Sequence, residues 1–256
     1  MIVLKTSREL ALMREACRIS AGALQVAGEA VRPGISTWEI DKIAYDYIKS
    51  QGAEPNFLNL YGFPATACIS INDEVIHGIP SKKRILQSGD IVSIDLGAKI
   101  GGYNGDNAAT FACGEISEEA KRLIETTRES LYEAIKMAVP GGKIGDIASA
   151  VQTYCESRGY SVVREYTGHG VGKELHEDPS VPNYGTAGRG VRLLPGMTIA
   201  IEPMINQGTA KIKVLPDGWT VKTQDSKLSA HFEHTVAITK DGPVILTRPY
   251  GESYGA

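Results

Sequence analysis

Leu10, Met13, Cys17, Leu24 and Val31 recur at roughly helical spacing behind Thr6-x-x-Glu9, a capping-box pattern, and predict a helix from about residue 7 to Val31. A second box, Ser36-x-x-Glu39, opens a helix that Gly52 ends. The period of the pattern then changes. Between Cys68 and Phe111, short apolar runs such as Ile91-Val92-Ser93-Ile94 are broken by turn residues and predict strands and loops. Ser117 starts a further helix to about Ala138, Pro140-Gly141 stops it, and another helix continues until Gly159. Two later runs, Met197 to Glu202 and Ala230 to Ile238, again read as strands, with a turn at Asp217-Gly218-Trp219 between them.

These elements repeat at a constant shift of 107 residues, which carries Pro33-Gly34 onto Pro140-Gly141, Ile40 onto Ile147, Tyr47 onto Tyr154 and Gly52 onto Gly159. The shift survives into the strands: Leu86-Gln-Ser-Gly89 falls on Leu193-Leu-Pro-Gly196, and Asp95 falls on Glu202. Helix, turn, strand and acid aligned at one offset predict two α/β halves, about 7–115 and 116–250, within a single catalytic domain over 1–256. No linker or low-complexity stretch separates them.

A chain of 256 residues with 42% hydrophobic content can bury a sizeable core. Its 27 Lys and Arg against 30 Asp and Glu leave a net charge of -3, which gives no general attraction to nucleic acid or anionic membranes. The short Lys82-Lys83-Arg84 cluster reads as a solvated loop. Charge enters at Lys5 before any signal-peptide run can form, and no segment approaches the ~18 apolar residues of a membrane span. Cys17, Cys68, Cys113 and Cys155 are scattered without a Cys-x-x-Cys pair, which predicts buried thiols in a reducing cytosol.

The chemistry enters at Asp95 and Asp106. They lie on two strand-like runs joined by Lys99-Ile100-Gly101-Gly102, and a hairpin tip at Ile100-Gly101 would set them directly opposite each other on one face. Like charges so placed repel, so the pair needs a shared proton or a cation. The repeat adds Glu202, and Glu233 lies on the run that resembles the strand of Asp106. Four ionised acids would carry a charge that two divalent cations balance, and a histidine among them shifts the preference toward Mn, Fe, Co or Zn. His169, in Gly168-His-Gly-Val-Gly172, is the best fifth ligand because the glycines let the backbone crowd a site. His77 sits in a similar His-Gly setting, and His176 follows His169 by seven residues. His231 and His234 flank Glu233, and strand alternation is expected to turn both away from it. A lone histidine beside glycine, or a single Asp-Leu-Gly, is ordinary loop or strand-end sequence; the joint pattern of opposed acids, repeat and glycine-flanked histidines is what packing alone does not require.

The motifs Cys68-Ile-Ser-Ile-Asn72, His77-Gly-Ile-Pro80, Gly89-Asp-Ile-Val-Ser-Ile-Asp95, Gly105-Asp106, Gly168 to Gly172, His176-Glu-Asp-Pro179, Glu202-Pro-Met204 and Phe232-Glu-His234 together resemble the type I methionine aminopeptidases, from Leu10 to about Arg248. The resemblance implies the pita-bread fold of the creatinase and aminopeptidase group, an α/β structure with pseudo-two-fold halves, a central curved antiparallel sheet and outer helices. It implies that Asp95 chelates one metal, that Asp106 and Glu233 bridge two, and that His169 and Glu202 complete the second. The ions would be two divalent cations per chain (Co, Mn, Fe, Zn or Ni), activating a water for attack on the first peptide bond. Glu202 would shuttle the proton, His176 stabilise the oxyanion, and His77 contact the substrate on the leaving side. A methionine pocket would be lined by Phe57, Leu60, Phe63, Cys68, Leu175, Met204 and Trp219. Leu60 and Leu175 stand where the family often has aromatic residues, and Asn104 where His commonly precedes Gly-Asp. Asn72 and Ser229 match positions that help hold a monovalent cation.

Three alternatives stand against the residues. Xaa-Pro peptidases of the same fold usually carry a sizeable domain ahead of the metal-binding half, whereas 94 residues precede Asp95 here. The type II enzymes carry an inserted helical subdomain, for which the 31-residue step from Glu202 to Glu233 leaves no room. Homologues that bind proteins or nucleic acid without catalysis typically lose metal ligands, and all five are present. The expectation is a cytoplasmic monomer that removes N-terminal methionine from nascent chains and peptides whose second residue is small, touching the ribosome at most transiently, with no nucleic-acid specificity and no membrane partner.

Overall fold

The computed structural model describes residues 1–248. Four helices, α1 (Ser7–Glu29), α2 (Thr37–Ser50), α3 (Glu118–Lys136) and α4 (Ile144–Glu156), lie where the periodicity places them. Both capping boxes form: Thr6 and Ser36 each accept from the backbone N–H three residues on, and Glu9 and Glu39 return a carboxylate to the cap. α1 stops at Glu29 rather than Val31, short of Pro33, which disfavours helical backbone in the residue before it. The buried face of α1, including Met13, Ala16, Cys17, Ser20, Leu24 and Ala27, packs against the long hairpin. The approach is close at Gly105, where a Cβ would come within 2.5 Å of the Cys17 backbone.

Among the described residues all strand pairings are antiparallel. The main sheet has nine strands, with the path 54–55, 91–100, 103–112, 233–239, 198–201, 168–170, 177–181; 67–71 joins 91–100 and 242–245 joins 233–239. Two three-stranded sheets, 229–231/204–206/161–162 and 212–214/221–223/74–76, stand beside it. One core lies between the sheet and α1 with α2, around Ile19, Ile40, Ile69 and Ile94, and a larger one lies under α3 and α4, around Leu123, Ile147, Ile199 and Val236.

The hairpin register differs from the sequence expectation. Asp95 pairs with Ala108 and Gly97 with Asp106, and the tip is Gly101-Gly102. Both tip residues have positive φ, 59° and 81°, as a two-residue primed turn demands; an isoleucine at that place would be strained. Asp95 and Asp106 are therefore diagonal neighbours. The slip is of two residues, so both still face the same side.

The offset of 107 recurs in three dimensions. Isolated bridges join Ser36 to Ile85 and Lys143 to Arg192. Gly34 and Gly141, both at φ 88°, donate to the carbonyls of Leu86 and Leu193 at 2.9 and 2.8 Å.

Candidate metal centre and substrate cavity

Five adjacent strands of the main sheet each bring one group to the same place. In sheet order they are Asp95, Asp106, Glu233, Glu202 at the end of the 198–201 strand, and His169. Ala108 pairs with Asp95 on one side and Glu233 on the other, so those two acids share a row, with Asp106 two residues along on the same face. The structure thus brings together all five ligands expected from sequence. Single donor atoms of Asp106, His169 and Glu233 lie within 4.8 Å of one another. Nε2 of His169 is 3.6 Å from both Oδ2 of Asp106 and Oε1 of Glu202.

The electrostatics of this cluster call for a cation. Asp106 and Glu233 are 3% and 2% exposed. Burial raises the pKa of all four acids, and repulsion among them adds to the shift for Asp95, Glu202 and Glu233. Asp95 Oδ1, Asp106 Oδ1 and Glu233 Oε1 are buried without a hydrogen-bond partner, a costly arrangement unless something positive meets them. The ring of His169 is set for the same role. Its Nδ1 faces the Gly170 carbonyl at 2.9 Å, and since a carbonyl only accepts, Nδ1 carries the proton and Nε2 turns a lone pair toward the acids. Burial and the neighbouring His176 lower its pKa to about 4, which keeps it neutral. The donor set of carboxylate oxygens and one imidazole nitrogen fits borderline divalent ions.

The acids form the floor of a cavity of about 350 Å³. Phe57, Leu60, Phe63, Cys68, Leu175 and Trp219 line it as expected, whereas Met204 does not: it is fully buried in a separate cluster with Val75, Ile76, Val163 and Val221. Tyr61, Ile76, Tyr166 and Thr167 also line the cavity and were not foreseen. Trp219 is presented by the turn at Asp217, whose carboxylate accepts from the N–H groups of Trp219 and Thr220 at 2.9 Å each, and its ring meets Phe63 edge-on at 5.1 Å.

His77 and His176 both reach the cavity. His77 holds a left-handed backbone, φ 60°, rare outside glycine and found where surroundings impose it. Its ring stands edge-on to Tyr166 at 5.5 Å, and burial followed by the field of His176 lowers its pKa to about 4. His176 precedes the 177–181 strand, packs edge-on against His169 at 4.4 Å and stacks with Tyr61 at 6.1 Å. Asn72 and Ser229 are also adjacent, the Ser229 N–H donating to the Asn72 carbonyl at 2.9 Å.

His231 requires a correction. It does not point away from the acids: Nε2 lies 3.9 Å from Oε2 of Glu202, the residue is 1% exposed, and neither ring nitrogen has a hydrogen-bond partner. Residues two apart share a face of a strand, and the strand breaks at Phe232 besides, so the alternation argument fails for His231. It holds for His234, which lies behind the sheet against Thr247 and Tyr132.

Comparison with known proteins places this geometry. The profile of Metallopeptidase family M24 matches residues 11–240. Methionine aminopeptidase 1 of Bacillus subtilis is 53% identical over 248 residues, covering 97% of this chain and 100% of that protein. The crystal structure of methionine aminopeptidase from Thermotoga maritima matches with a TM-score of 0.96 and 45% identity, over 97% of this chain and 100% of that one. Prolidase from Pyrococcus furiosus matches at 0.78 and 30% identity, over 96% of this chain but 65% of its own. The shared architecture is the pita-bread fold.

Proposed function

The chain belongs to metallopeptidase family M24, and from that premise we propose that it is a methionine aminopeptidase, removing the first residue of nascent chains and peptides whose second residue is small. The observation that carries this is the row of Asp95, Asp106, Glu233, Glu202 and His169 on five adjacent strands, set at the floor of an apolar cavity of about 350 Å³. We read the chain as one catalytic unit.

Asp95, Asp106, His169, Glu202 and Glu233 would hold the two divalent ions. Bound there, the ions supply Lewis acidity to the scissile carbonyl and lower the pKa of a water. The remaining steps belong to the side chains. Glu202, at the end of the 198–201 strand beside His169, takes a proton from the attacking water and passes it to the leaving nitrogen. His176 is neutral, since burial lowers its pKa, and donates from its ring to the carbonyl oxygen as charge develops there. His77, fixed by its strained backbone and Tyr166, contacts the peptide on the leaving side. Phe57, Leu60, Phe63, Cys68, Leu175 and Trp219 enclose the methionine side chain, whose unbranched thioether suits an irregular apolar wall. A monovalent cation near Asn72 and Ser229 would brace the wall.

No helix among the described residues is long and apolar enough to cross a membrane, and we take the enzyme to act in the cytoplasm as a monomer. The test is a metal-reconstituted assay on peptides beginning Met-Ala, Met-Leu and Ala-Pro. Rapid cleavage of Met-Ala alone is expected; preference for Ala-Pro would overturn the substrate assignment.

A further inference from the structure

Lys5 lies on the arm ahead of α1, and its side chain is only 3% exposed. A buried ammonium is costly unless paired, and Nζ meets Oε2 of Glu177 at 2.5 Å and donates to the Val3 carbonyl at 3.2 Å. The arm is itself fixed to the sheet: the Lys5 N–H donates to the Gly196 carbonyl at 2.7 Å, and the Gly196 N–H to the Ile238 carbonyl at 2.9 Å.

Glu177 spans the loop that brings His176 to the cavity. Its Oε1 accepts from the Glu174 N–H at 3.3 Å and fills the space over Gly172, where a Cβ would lie 2.3 Å away. Asn104 ties the start of the same loop. Its backbone N–H donates to the Gly172 carbonyl at 2.9 Å, and its Nδ2 to the carbonyls of Gly172 and Lys173 at 3.0 Å each. Neither Lys5 nor Glu177 lines the cavity, so any influence on the reaction passes through the residue beside Glu177.

We propose that Lys5 is a positioning residue, which through its ion pair with Glu177 sets where the His176 ring stands over the cavity floor. The kinetic consequence rests on the role given to His176 above. Transition-state contacts tolerate little displacement, so Lys5→Met should lower kcat about 10-fold or more, while KM for a Met-Ala peptide stays within about 2-fold. Lys5→Arg should restore kcat. The His176 ring resonances in a proton–nitrogen NMR spectrum should shift in Lys5→Met and return in Lys5→Arg. In a His176→Ala background, Lys5→Met should change kcat by less than about 2-fold, because the two act as one unit.

Equal losses in both backgrounds would overturn the proposal, as would His176 resonances unmoved by Lys5→Met. If His176→Ala alone leaves kcat unchanged, the oxyanion reading falls, while the NMR arm still decides whether Lys5 places the ring. Glu177→Gln, which keeps shape and removes charge, gives the same readouts should Lys5→Met fail to fold.

Discussion

A buried imidazole with two unpartnered nitrogens costs free energy unless it serves a neighbour, and the neighbour at His231 is Glu202, with Nε2 3.9 Å from Oε2. Burial lowers the His231 pKa to about 3, so the ring is neutral and has one N–H to donate. His231→Ala should therefore lower kcat by about 10-fold, the usual effect of removing a group that orients a ligand, with circular dichroism unchanged. His234→Ala, behind the sheet against Thr247, should leave kcat within about 2-fold. An active His231→Ala would remove that residue from the centre. Asp106→Asn and His169→Ala should each abolish turnover while the fold persists, and full activity in either would defeat the two-metal reading. The acids were legible in the sequence because each ends or interrupts an apolar run, where a carboxylate has no structural reason to be. His231 was missed because alternation turns away only the adjacent His234, whereas His231, two residues from Glu233, falls on the same face; Met204 was misplaced because nothing local says which side of a short strand meets the cavity.

Helices and their ends are determined locally, which is why the boxes at Thr6 and Ser36 and the glycines at 52 and 159 marked them to within a few residues. Strand register is decided by a turn and by contacts far along the chain. The tip at Gly101-Gly102 follows the demand of a primed turn for positive φ at both residues, a rule that the expected Ile100-Gly101 tip did not satisfy, yet the two-residue difference preserved which face each acid takes. The offset of 107 was the stronger signal because it tested many elements together. The hairpin's seat on α1 depends on Gly105, where a methyl would collide with backbone rather than a movable side chain. Gly105→Ala should thus destabilise by about 1–3 kcal/mol or more in urea unfolding. Gly102→Ala, with open space but φ 81°, should cost about 1 kcal/mol through strain alone. Equal effects would mean that α1 yields more readily than its packing indicates.

At the scale of the whole molecule, four buried acids give stability an inverted dependence on pH. Burial raises the pKa of Asp95, Asp106, Glu202 and Glu233 in the folded state, so in the metal-free protein these four groups bind more protons folded than unfolded. Their contribution is complete below the ordinary carboxylate pKa of about 4 and is lost as pH rises through the raised values, about 7 for Asp106; the five histidines, whose pKa burial lowers, act in the opposite sense below about pH 6.5, so Tm in EDTA should fall as pH rises above about 6.5. A divalent cation reverses the sign. It binds the folded cage and displaces those protons, so the gain in Tm from excess Mn²⁺ over EDTA should grow with pH across the same range. Acids whose pKa is lowered, such as Asp217, contribute in the opposite sense, and a variant separates the two. Asp106→Asn removes one charge from the cage while leaving surface groups alone, so it should flatten the decline in EDTA and lose most of the response to Mn²⁺. Thermal unfolding of both proteins with EDTA and with Mn²⁺ at several pH values supplies the comparison. A metal-induced shift independent of pH, or retained in full by Asp106→Asn, would mean that the ion binds elsewhere and that protons alone occupy these five strands.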